Sequence, residues 1–120
     1  MQVGELAERT GVSVRSIRYY EQAGLLRATR RANGYRDFGD PAVERVRAVR
    51  DLLETGFTVD EVLSLAGCLQ AAAPGTHCGV RTAQLYGRKL AKVDGQLRTL
   101  RQLRDRIKER ITRLQGAANG

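Results

Sequence analysis

The chain has 120 residues, two cysteines, 42% hydrophobic residues and a formal net charge of +8. The length fits one small domain, or one domain with an appended helix, and two cysteines do not make a disulfide-rich secreted scaffold. No apolar run is long enough to span a membrane, and MQVGELAERT lacks the apolar core of a signal peptide, so a cytoplasmic, reduced chain is expected.

In chain order, Val3, Leu6 and Ala7 share one face of a short first helix, which Thr10-Gly11 ends. Ser13 is placed to cap a second helix from Val14 to Gln22, with Gly24 beyond its end. Leu25-Leu26 and Tyr35-Phe38 then flank Asn33-Gly34. That dipeptide signals a tight hairpin turn because both of its positions tolerate positive φ. Residues 9–36 carry seven arginines against Glu21 alone, a local charge of +6. Two short helices, a tight turn and a basic hairpin read as a winged helix-turn-helix. In that motif the second helix enters the major groove and the wing meets the backbone.

Asp40 can cap a third helix, with Pro41 at its first position and an apolar stripe at Val43, Val46, Val49, Leu52 and Leu53. Gly56 ends it. Thr58 and Glu61 form a capping box for a fourth helix. The segment from residue 37 to 61 sums to −4, so acids separate the first basic region from a second. AAAPGTHCG reads as a loop.

The last segment repeats apolar residues at alternating steps of three and four: Ala83, Tyr86, Leu90, Val93, Leu97, Leu100, Arg104, Ile107, Ile111, Leu114. This is a coiled-coil seam of more than four heptads, interrupted only at Arg104. A helix of about 35 residues is roughly 50 Å long, so its seam needs a partner helix; a second copy of the chain is the simplest. The expected architecture is therefore mostly α. A winged helix-turn-helix head with a small β-hairpin spans residues 1–70, a loop 71–79, a long dimerisation helix 80–116 and a tail 117–120.

VGELAERTGVSVRSIRYYEQAGLL, with NGYRDF downstream, closely resembles the MerR family of transcription regulators over roughly residues 1–70. The resemblance implies a homodimer, paired through antiparallel long helices, on a near-palindromic site in promoter DNA. It implies an effector that makes the dimer bend and untwist the promoter spacer so that RNA polymerase can engage, a readout by deformation. Carried over by position, Ser13, Arg15, Arg18, Tyr19 and Tyr20 would serve the recognition helix, and Tyr35 and Arg36 the wing. Tyr20 has a competing place in the core of the head.

Cys78 resembles the first cysteine of the metal-sensing branch, but no cysteine follows Leu114, where that branch carries its remaining ligands. Cys68, His77 and Cys78 are a substitute donor set that would suit zinc or a softer divalent relative. A disulfide between Cys68 and Cys78 is the rival use. An enzyme is not expected, since there is one histidine, no paired-carboxylate cleft and no phosphate-binding glycine loop. The alternative from another class is a basic coiled-coil adaptor whose helical head binds protein.

Overall fold

The structure is a computed structural model that describes residues 1–69 and 73–119, with side chains to residue 116. Part of the expected 71–79 loop and the end of the expected tail lie outside the described residues. The elements are α1 (Val3–Thr10), α2 (Val14–Gln22), β1 (Thr29–Arg30), β2 (Arg36–Asp37), α3 (Pro41–Glu54), α4 (Val59–Ser64) and α5 (His77–Asn119). The expected mostly helical fold with one small hairpin is what forms. The chain makes two compact units, Met1–Ala83 and Gln84–Gly120, and α5 starts in the first.

In the first unit the punctuation acts much as its chemistry requires. Gly11 ends α1 at φ 72°, its N–H bonded to the Ala7 carbonyl. The Ser13 side chain accepts from the Ser16 N–H and starts α2. At α4 both halves of the Thr58–Glu61 capping box are present. Asp40 differs. It stands at the start of α3 in helical conformation and makes no side-chain cap. Its carboxylate instead lies 3.6 Å from the Arg9 guanidinium.

The hairpin also differs from expectation. Gly34 has φ 85°, and no non-glycine among the described residues has positive φ. The Gly34 N–H bonds the Arg31 carbonyl, and the Arg31 N–H bonds the Tyr35 carbonyl, so Ala32, Asn33 and Gly34 form a three-residue loop. Asn33 contributes through its side chain, whose Oδ1 accepts from the Tyr35 N–H at 3.2 Å. The strands pair antiparallel with Thr29 opposite Asp37 and Arg30 opposite Arg36.

The core is where the helical stripes meet. Leu6, Ile17, Leu25, Val46, Val49 and Val62 are fully buried, with Phe38 and Phe57 beside them. Val43 and Leu53, expected on the buried stripe of α3, are half-buried; Ala42 is buried instead. The three arginines of α3 donate to backbone carbonyls. Arg45 Nε and Nη1 reach Leu25 and Ala66, Arg47 reaches Arg9, and Arg50 reaches Thr10, all within 3.0 Å. Arg47 and Arg50 thereby satisfy carbonyls that the end of α1 leaves without helical partners. Burial first, and then the nearby Arg27 charge, lowers the Arg45 pKa from the usual guanidinium value.

The second unit is the remainder of α5. Tyr86, Leu90, Val93, Leu97, Leu100, Ile107, Ile111 and Leu114 lie on it between 40% and 72% exposed. No helix among the described residues is long and apolar enough to cross a membrane.

Candidate nucleic-acid interface

The candidate interface is built on α2 and the hairpin. Ile17 and Tyr20 turn inward, which leaves Arg15, Arg18 and Tyr19 on the exposed side of α2. Helical period alone produces this division. Ser13 is exposed, but its hydroxyl is engaged with Ser16 through both the backbone N–H and the side chain.

Tyr20 is 6% exposed, and burial raises its pKa above 10.0. Its ring centroid lies 6.5 Å from that of Tyr19 in a tilted arrangement. Tyr20 is thus a core residue of the head, the competing place the sequence allowed it, while Tyr19 at 51% exposed is the tyrosine open to solvent.

Recognition helix and wing come together around a concavity of about 290 Å³ lined by Gln2, Val3, Arg18, Arg30, Gly34, Tyr35 and Arg36. The charges there divide in two. Arg36 Nε lies 2.8 Å from Glu21 Oε1, an ion pair that ties the wing to α2. Glu21 Oε2 is buried with no hydrogen-bond partner among the described residues, so Arg36 is its main compensation. Arg31 pairs with Asp37 at 3.0 Å. Arg18 and Arg30, which line the concavity, and Arg15, outside that lining on the exposed side of α2, have no carboxylate within ion-pair distance among the described residues. Unpaired guanidiniums on a concave face are what phosphate oxygens and guanine edges accept from.

Asp37 anchors the wing from below. Its carboxylate accepts from the Met1 ammonium at 2.8 Å and from Arg31 at 3.0 Å. Those two bonds, the ammonium's first, hold its pKa below the usual carboxylate value.

Arg30 and Gln2 were not anticipated from the sequence. Arg30 stands opposite Arg36 only because the loop has three residues; counting outward from an Asn33-Gly34 turn puts Arg31 there instead. Gln2 joins the site only through the packing of α1 and carries no local signal.

Neither cysteine lines this concavity. Cys68 sits in turns beyond α4, which ends at Ser64. Cys78 is the second residue of α5. Their sulfurs form a disulfide, with Cα atoms 5.1 Å apart. In that state neither is a thiolate, and among the described residues no three His, Cys, Asp or Glu side chains cluster as metal ligands. The fourfold set that zinc favours is not assembled around Cys68, His77 and Cys78. At the start of α5, Thr76 Oγ1 accepts from the Gly79 N–H at 3.0 Å. A Cβ at residue 79 would collide with the Ala73 carbonyl, so glycine is required there.

A recognition helix carrying free arginines, a basic wing hinged to it and a following helical segment define a winged helix-turn-helix DNA-binding regulator. The family profile described as "MerR HTH family regulatory protein" matches residues 1–65, and that described as "MerR, DNA binding" matches residues 43–115. The chain belongs to the MerR family of transcription regulators.

It is 33% identical over 104 residues to the HTH-type transcriptional regulator HmrR of Rhizobium leguminosarum bv. viciae, covering 87% of this chain and 78% of that relative. It is 35% identical over 111 residues to the nodulation protein NolA of Bradyrhizobium elkanii, of which it spans 46%. Among solved structures it is similar to the regulator PbrR691 of Ralstonia metallidurans CH34 in complex with lead(II). The TM-score is 0.75 at 28% identity, covering 91% of this chain and 83% of that one.

Proposed function

We propose that the chain acts as a homodimer on a near-palindromic promoter site. On this reading an effector makes it bend and untwist the spacer DNA, and RNA polymerase then engages the realigned promoter. The observation that carries the DNA reading is the trio of unpaired arginines, Arg15, Arg18 and Arg30, on α2 and the wing. The dimer reading rests on the exposed apolar seam from Tyr86 to Leu114, which is too regular to be chance exposure. Mechanically, the model needs two DNA-bound states of similar energy that an effector biases.

The effector reading is thiol-directed: a soft metal ion or a thiol-redox signal received at Cys68 and Cys78. A relative that binds lead supports the metal arm, and that arm requires the reduced pair. Zinc would need ligands beyond the two sulfurs, from water or from a second subunit.

A salt titration on duplexes selected from random sequence tests the function. Affinity should fall steeply with salt while the selected duplex keeps its preference over random DNA. Equal affinity for every duplex would remove the regulator reading and leave a basic adaptor.

A further inference from the structure

We propose that Cys78 is a modification site for low-molecular-weight disulfides, and that Cys68 resolves the adduct into the intramolecular bond. Any effect on promoters rests on the regulator reading above; the thiol chemistry itself does not.

Accessibility sets the order of attack. Cys68 is 7% exposed, whereas Cys78 is half-buried, so an incoming reagent meets Cys78 first. Cys78 lies in the first turn of the 43-residue α5. One turn further, the Arg81 guanidinium donates to the Ser64 carbonyl at 2.7 Å and ties this end of α5 to the end of α4. The second thiol is already positioned, because the two sulfurs bond in this structure across a ten-residue separation.

The chemistry balances with a disulfide R–S–S–R as oxidant. The Cys78 thiolate attacks one sulfur; the R–S–S–R bond breaks and one RS⁻ leaves. The Cys68 thiolate then attacks Cys78 Sγ, expels the second RS⁻ and closes the Cys68–Cys78 bond. Two protein thiols are oxidised and one external disulfide is reduced to two thiols. The protons given up by the cysteines end on the leaving thiolates. Reduction by excess thiol runs the same steps backward. The bond joins the turn after α4 to the first turn of α5, two segments that the Arg81–Ser64 hydrogen bond also ties.

The test uses the full chain in glutathione buffers stepped from fully reduced to fully oxidised, with alkylation and mass spectrometry as the readout. The expected result is one reversible transition from two alkylated cysteines to none. Cys68→Ser should accumulate a glutathione adduct at Cys78, and Cys68→Ala should do the same if the serine disturbs the buried site. Cys78→Ser should lose adduct formation. A pair that stays oxidised or stays reduced across the whole series overturns the proposal. So does a Cys68 variant with no adduct, or a Cys78→Ser chain thiolated as fast as the parent. Loss of duplex selectivity with this chemistry intact would instead strike only the regulator reading.

Discussion

At the scale of single residues, charge matters less than whether a charge is already paired. Arg18 is free and Arg36 is held by Glu21, although both border the same concavity. Arg18→Ala is therefore expected to weaken duplex binding and to lower its salt slope by about one unit. Arg36→Ala is expected to act first on the fold, costing about 1 kcal/mol as the partly exposed ion pair is lost. Binding isotherms at several salt concentrations, run beside thermal melts, separate the two effects.

Asp37 gives a pH dependence of definite sign. Its folded pKa is lowered by the Met1 ammonium and Arg31, so its contribution is present above the unfolded carboxylate value. That contribution is lost as pH falls through the lower folded value. Acid melts of Asp37→Asn should show a shallower loss of stability below about pH 4 than the parent. The exposed pair Arg15 and Arg18 was legible from helical spacing. The Arg36–Glu21 pair was not, because its partners are brought together only by the placement of the wing on α2.

At the scale of elements, local rules and tertiary rules part company. Ser13, Gly11 and the Thr58–Glu61 box are readable because a cap needs only its own few neighbours. Thr58→Ala should cost about 1 kcal/mol, seen as a lower denaturant midpoint with unchanged slope. Asp40 looked like another cap, but its backbone is already helical and Arg9 takes its carboxylate. The Asn33-Gly34 pair announced a hairpin correctly, but only Gly34 takes positive φ, because Asn33 bonds through its side chain. The arginines of α3 were opaque in sequence. Arg45, Arg47 and Arg50 look like surface charges, yet each donates to a carbonyl far along the chain.

At the scale of the whole molecule, the seam was the most legible feature, since periodicity over many turns leaves little ambiguity. Its residues lie exposed on α5. A charge at its middle should prevent pairing. Leu97→Asp is expected to shift the chain from dimer to monomer in sedimentation at micromolar concentration, with helix content of the head retained. The cysteine pair was legible only as alternatives, since sequence spacing cannot decide whether two sulfurs ten residues apart meet.

The second basic region, left of the seam's apolar logic, has a consequence for how the two activities respond to ions. From residue 80 onward the chain carries eleven basic residues against three acidic ones. Pairing two such helices sets like charges side by side, so added ions that screen their repulsion strengthen association. On the proposed reading of the interface, the same ions weaken the hold of Arg15 and Arg18 on phosphate. Duplex occupancy at low protein concentration should then rise and afterwards fall as salt increases, with an optimum at intermediate ionic strength. A covalently linked tandem dimer, whose association no longer depends on salt, should lose the rising limb and keep only the fall.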